Sequence, residues 1–235
     1  MPRLYAGSSG FAYASWKPHF YPAKLPAKSF LEHYAKRLNA VEINYTFRRL
    51  PSANTLESWV KATSEGFLFT VKANMRITHI LKLKNAEEAT ELFLRMIDPL
   101  RTSRRLGAIL FQLGPTFKRD DALLQAYLNL LPGDLRYAFE FRHASWLTDE
   151  VYAILKSSNV SLCLAESEKL EIPKVVTADF VYRRLRKTEY SPDALAAIEQ
   201  QTREQIASGR DVFAFFKHEE DPQGALYAEE LLRKF

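Results

Sequence analysis

Ala138-Phe139-Glu140-Phe141-Arg142 alternates apolar and charged residues at the end of a strand-like run. Successive strand side chains point to opposite faces, so Glu140 and Arg142 share one side and Phe139 and Phe141 the other. The aromatic side must lie beneath helices, which turns the charged side inward. The same grammar recurs in Leu4-Tyr5-Ala6-Gly7-Ser8, Val41-Glu42-Ile43-Asn44, Phe67 to Lys72, Ala108 to Gln112, Phe180 to Arg184 and Val212 to Lys217. A strand covered on both faces should be apolar throughout, because a lone buried charge is costly. Polar groups repeated at the carboxyl ends of such strands point to one shared site.

Between these runs lie helical patterns at Ser29–Leu38 (with Ser29 as cap), Ser52–Thr63, Asn85–Ile97 (stopping before Pro99), Asp120–Leu131, Thr148–Lys156, Ser191–Gly209 and Gln223–Phe235. With Val160–Ala165 as a further strand, the alternation predicts a parallel sheet closed as a (β/α)8 TIM-type barrel, a single domain over residues 1–235. Glu166 to Asp179, with Ile172-Pro173, leaves room for little helix. An open doubly wound sheet is the alternative arrangement.

Composition narrows the partners. The chain has 235 residues, 47% hydrophobic, and carries a formal charge of +5, which favours anionic partners. Cys163 stands alone, so no internal disulfide or cysteine-rich zinc site is expected, and a core thiol in a reducing compartment is. No stretch approaches the length of a membrane span. A soluble, cytoplasmic protein is expected, with no membrane partner; the oligomeric state is left open.

The alternation aims Glu42 and Asn44 into the barrel, with Lys72, Gln112, Tyr182 and Arg184 on the same inner surface. Two carboxylates amid several cations suit an anionic substrate plus an acid/base group. Glu140 and Glu42 are the expected catalytic residues. Lys72, Arg142 and Arg184 are expected to bind an anion, and Asn44, Gln112 and Tyr182 to orient it. His143 and Trp146, and Trp16 in the aromatic segment Phe11 to Tyr21, would complete a substrate surface that stacks on a sugar or base. Carboxylates on the second and fifth strands face each other across a barrel, which would suit a water-using mechanism. The blander readings are structural ion pairs and an aromatic plug. Gly7-Ser8-Ser9-Gly10 offers backbone amides to an anion, though a plain turn has the same sequence.

His19, His33, His79, His143 and His218 lack ligand spacing, so no tightly bound transition metal and no cofactor is expected; His79, His143 and His218 are the residues a metal would use. Nucleic acid is the alternative partner, through Arg101, Arg104, Arg105, Lys118, Arg119 and Arg183 to Lys187. The leading reading is an enzyme of the hydrolase or lyase type acting on a small anionic or carbohydrate-like ligand at the mouth, and a barrel that has lost activity and serves as a binding module is a third.

The chain resembles the YecE-like proteins, also called domain of unknown function 72. The resemblance rests on Gly7 to Phe11, Trp16, Phe20-Tyr21-Pro22, Val41 to Asn44, Thr46-Phe47, Arg49-Leu50-Pro51, Phe69 to Lys72 and Thr78-His79. It continues through Leu106-Gly107, Leu110 to Leu113, Glu140 to His143, Ser145-Trp146, Tyr182 and Arg184-Leu185. It implies a TIM barrel and supplies no reaction. Two departures add charge at the mouth: Arg186-Lys187 where His-Gly is common, and Lys217-His218-Glu219-Glu220 where asparagines are.

Overall fold

Every apolar run becomes a strand in the computed structural model, which describes residues 1–217 and 221–235. The strands are β1 (Leu4–Ser8), β2 (Ala40–Ile43), β3 (Leu68–Lys72), β4 (Leu106–Gln112), β5 (Tyr137–Glu140), β6 (Ser161–Ala165), β7 (Phe180–Leu185) and β8 (Asp211–Phe216). The helices are α1 (Phe30–Ala35), α2 (Ala53–Lys61), α3 (Glu87–Thr102), α4 (Asp121–Asn129), α5 (Asp149–Ser157), α6 (Pro192–Ala207) and α7 (Gln223–Leu232). All ladders are parallel, in the order β1-β8-β7-β6-β5-β4-β3-β2. The sheet curls into a near-closed TIM-type barrel.

Among the described residues β1 and β2 share no backbone ladder, and side chains close the seam instead. Asn39 donates from Nδ2 to the Leu4 carbonyl at 2.8 Å and accepts the Ala6 amide at 2.9 Å. Tyr34 accepts the Ser8 amide at 2.8 Å and donates to the Ala40 carbonyl at 3.1 Å. Gly7 makes the approach possible: a Cβ there would stand 1.9 Å from the Ala40 carbonyl oxygen. The four bonds satisfy backbone groups that an open seam would leave unpaired.

Helix starts follow local chemistry. Ser52, Asp120 and Ser191 each accept an amide three residues ahead, and Pro192 fits the first turn of α6. Ser29 does not cap α1. A 3-10 turn over Ala27–Ser29 runs straight into the helix and takes Ser29 out of the extended geometry a cap needs. Helix α3 also continues through Pro99, where the sequence predicts a stop. Proline costs one backbone bond there, about 3 kcal/mol, and burial of Ile97 and Leu100 on either side offsets it at roughly 1.5–3 kcal/mol each. The stretch from Glu166 to Asp179 carries no helix, as its proline suggests.

Two apolar layers result. One lies between sheet and helices. The other fills the lower barrel with Ala40, Ala108, Leu110, Ala138, Cys163, Phe180, Tyr182, Phe213 and Phe215. No helix is long and apolar enough to cross a membrane among the described residues.

Candidate active site at the carboxyl ends of the strands

Above that lower layer the inward positions become charged. Glu42, from β2, and Glu140, from β5, are almost wholly buried, and Arg184 from β7 lies between them at 1% exposure. Its Nη2 donates to Glu42 Oε1 at 2.7 Å and its Nη1 to Glu140 Oε2 at 2.5 Å. One guanidinium thus holds both carboxylates.

The remaining lone pairs are used as well. Glu42 accepts from Ser9 Oγ (2.9 Å), Asn44 Nδ2 (3.2 Å) and the Tyr182 hydroxyl (2.8 Å). Glu140 accepts from Gln112 Nε2 (2.8 Å) and Arg142 Nε (3.0 Å). Burial opposes ionisation of Glu140, but Arg184 and Arg142 override it and hold the carboxyl at about 2. Glu42 is treated the same way: burial pushes it up, and Arg184 and Arg186 bring it below the usual carboxylate range. Burial alone would weaken the charge of Arg184, yet the two carboxylates raise its pKa well above the ordinary value. Arg184 Nε is buried without a hydrogen-bond partner among the described residues.

Lys72, at the end of β3, is differently placed. Its Nζ donates to Gln112 Oε1 at 2.7 Å and lies 3.9 Å from the centroid of the Phe47 ring. Its own backbone carbonyl accepts the Thr46 hydroxyl, which fixes the strand end beneath it. Desolvation first, then the charge of Arg184, lowers its pKa to about 8 despite Glu140 and Glu42. His79 meets the other side of this corner, its ring edge-on to Phe47 at 5.0 Å and its Nδ1 bonded to Thr78 Oγ1.

Most of the expected site residues therefore come together: Glu42, Glu140, Arg184, Lys72, Gln112, Asn44 and Arg142. Tyr182 joins them from below. It is wholly buried and bonded to Glu42 and Thr70, so it supports the cluster and has no face for a substrate. Trp16 and Trp146 are corrections. Trp146 is wholly buried, donates to the Phe117 carbonyl at 2.7 Å and stacks on Phe141. Trp16 is equally buried, packed with Tyr13, Phe20 and Tyr21 into a plug against α1. His143 uses Nδ1 on its own turn, where it accepts the Ser145 amide and bonds its hydroxyl.

Sequence reasoning missed Ser9, Phe47 and the role of Arg186. Ser9 contributes its hydroxyl, while its amide and that of Gly10 are taken by Phe216 and Ser8 carbonyls, so the turn offers no amide pair to an anion. Arg186 donates from Nη1 to Ser9 Oγ at 3.1 Å and has no carboxylate in ion-pair reach among the described residues. Its appearance at the mouth was signalled by the charge it adds after the Tyr182–Arg184 strand.

The cations gathered for nucleic acid disperse. Arg101 pairs with Asp134 and Arg119 with Asp121 and Glu150. Arg105 is buried and bonded to the Thr63 and Ser64 carbonyls, and Arg183 is buried against α6, bonded to Gln201 and Thr202. Among the described residues no three His, Cys, Asp or Glu gather as metal ligands, and His218 lies outside those residues. A recess of about 240 Å3 lies at the opposite end of the barrel, between Arg3, Tyr5, Asn39 and Phe67, away from Glu42, Glu140, Arg184 and Lys72.

Comparison with known proteins agrees with this architecture. The chain is 30% identical over 157 residues to the UPF0759 protein YunF of Bacillus subtilis, covering 63% of this chain and 54% of that protein. It is 34% identical over 114 residues to the UPF0759 protein YecE of Escherichia coli, covering 48% and 41%. The matched stretches thus span about half the length of these curated relatives or less. A crystal structure of a DUF72 family protein from Thermotoga maritima superimposes with a TM-score of 0.87 at 27% identity, covering 99% of this chain and 98% of that one. One from Enterococcus faecalis gives 0.79 at 21% identity and speaks to the fold alone. The family model described as "Protein of unknown function DUF72" matches residues 5–235, and the chain belongs to that family.

Proposed function

We propose that this protein is an enzyme of the lyase or hydrolase type acting on a small anionic substrate at the carboxyl ends of its strands, with Lys72 as the group that exchanges the proton. The observation that carries this reading is the placing of Lys72: a buried ammonium whose hydrogen-bonding partner is a neutral amide, beside two carboxylates already taken by Arg184.

The reading reassigns roles expected from sequence. Glu42 and Glu140 are held ionised and saturated, which suits a fixed electrostatic frame and not a general acid at neutral pH. The space between them holds a guanidinium, so a water and a sugar ring have no place there and a two-carboxylate glycosidase mechanism loses its support. With Trp16 and Trp146 buried, stacking on a carbohydrate loses support too. A lysine titrating at about 8 matches the need for an acid/base near working pH.

Charge names the substrate class. Two carboxylates stand among four cations, Lys72, Arg142, Arg184 and Arg186. Arg142 uses Nε on Glu140 and is 46% exposed, so its outer nitrogens face the mouth. A phosphate or carboxylate group suits that excess.

The test is thermal melting across phosphate and malonate titrations at fixed ionic strength. Anion at a hundredfold excess over its dissociation constant should stabilise the protein by about 2.7 kcal/mol. Arg142→Ala should lose that gain, and Lys118→Ala, an exposed site, should keep it. Equal gains in all three proteins would remove the anion site.

A further inference from the structure

The geometry points to Lys72 as a covalent amine that condenses with the carbonyl carbon of a small anionic oxo compound, such as a 2-oxo acid, to form an imine. This deepens the reading above and rests on it, because Arg142 and Arg186 are the groups that would hold the substrate's anionic end.

Four observations carry it. Lys72 is the only lysine among the buried charged residues described. It occupies a strand's carboxyl end, where barrel chemistry is placed. The carboxylates that would ordinarily neutralise it are both bound by Arg184, so its nitrogen is not locked in an ion pair. The recorded contacts of its Nζ are one amide oxygen and an aromatic face at 3.9 Å. An aromatic face suits a cationic, planar iminium as well as an ammonium. Desolvation and a neighbouring cation are the two recognised ways to activate a lysine nucleophile, and both act here. With a pKa of about 8, roughly one molecule in ten carries the free amine at pH 7, against about one in three thousand for an ordinary lysine.

The step balances without another reactant. The nitrogen lone pair attacks the carbonyl carbon as the C=O π electrons move to oxygen, and a proton passes from nitrogen to that oxygen. The carbinolamine then expels the hydroxyl as water, taking one proton from solvent, and the nitrogen lone pair forms the C=N bond of the iminium. The iminium withdraws electrons from the adjacent carbon, which favours loss there of a proton or, where that carbon bears a carboxylate, of CO2, the bonding electrons moving towards the iminium nitrogen. No oxidant or metal is involved.

The experiment uses the intact chain with pyruvate or, as a neutral counterpart, hydroxyacetone, each with cyanoborohydride at pH 7, which reduces an imine to a stable secondary amine. Peptide mass mapping then compares Lys72 with the exposed Lys118. Pyruvate is expected to label Lys72 at least ~10-fold faster than Lys118, with hydroxyacetone far slower at Lys72. Lys72→Arg keeps the cation and should abolish the fast adduct, with its melting curve read in parallel to establish folding. Labelling of Lys72 no faster than Lys118 by either probe overturns the imine. The phosphate melts separate the two readings. Anion stabilisation without an adduct removes the imine and leaves the anion site. Equal labelling by both probes, without anion stabilisation, keeps the amine chemistry and removes the anionic substrate.

Discussion

The lower and upper halves of the barrel interior are built from the same eight strands and obey opposite rules. Below, Phe180, Phe213 and Phe215 pack with alanines, Leu110 and Cys163, and Tyr5 stacks on Phe213 at 4.9 Å. Above, one residue pair further along these strands, Glu42, Lys72, Glu140 and Arg184 fill the space with charge, joined by the Gln112 amide. The lower half stabilises the fold by removing apolar surface from water. The upper half gives no comparable return, because desolvating ions costs about as much as pairing them restores. Ions kept where aliphatic side chains would serve stability better support the site proposed at this end of the barrel.

This contrast is broken most directly at Arg184. Arg184→Met strands two buried carboxylates and should cost about 3–5 kcal/mol, while replacing Glu42, Arg184 and Glu140 together with apolar residues should be neutral or stabilising by about 1–4 kcal/mol. Phe213→Ala in the lower half should cost a similar ~3–5 kcal/mol, with no such rescue from its neighbours. Urea unfolding of the three variants decides this. A triple variant as damaged as the single one would mean that the ions hold the fold.

Two pH dependences sharpen the comparison. Glu140 has its pKa depressed from 4.5 to about 2, so its contribution is present above 4.5 and is lost as pH falls towards 2. The loss should approach ~3 kcal/mol and be absent in Glu140→Gln. Lys72 works in the other direction. The unfolded chain holds its proton up to about 10.5 and the folded one only to about 8, so stability should rise with pH across that window. Lys72→Met should flatten the slope and be more stable at pH 7 by up to ~3 kcal/mol. Denaturant midpoints measured from pH 2 to 11 read both.

The smallest effect belongs to the seam. Tyr34→Phe removes the group that bridges the Ser8 amide and the Ala40 carbonyl, at about 1–2 kcal/mol. Hydrogen exchange at Ser8 should quicken while amides in the β7–β8 ladder keep their protection.

Strand positions were legible because period-two alternation is a local property. Val41–Asn44 as read becomes Ala40–Ile43, and Leu4–Ser8 is unchanged. Inward charges were legible for the same reason. What alternation does not encode is which partner a charge takes. That Arg184 claims both carboxylates, leaving Lys72 to Gln112, depends on side-chain reach across the barrel. Trp16 and Trp146 illustrate a second limit, since a tryptophan after a strand reads the same whether it lines a mouth or plugs a gap. Arg105 shows a third: a basic cluster looks solvated until one member finds carbonyls such as those of Thr63 and Ser64 to cap. Pro99 marks the point where tertiary burial outweighs a local stop signal.

The side-chain seam also bears on how the chain is made. Leu4 pairs with Val212, so β1 leaves the ribosome long before β8, the strand it pairs with. At typical synthesis rates that interval is roughly ten to forty seconds. Asn39 and Tyr34 follow β1 closely and hold its Leu4, Ala6 and Ser8 backbone groups without any help from β8. They give the nascent strand an early partner on its β2-facing edge, so that only the opposite edge, whose Arg3 carbonyl and Ser9 amide bond β8, is left open until that strand arrives.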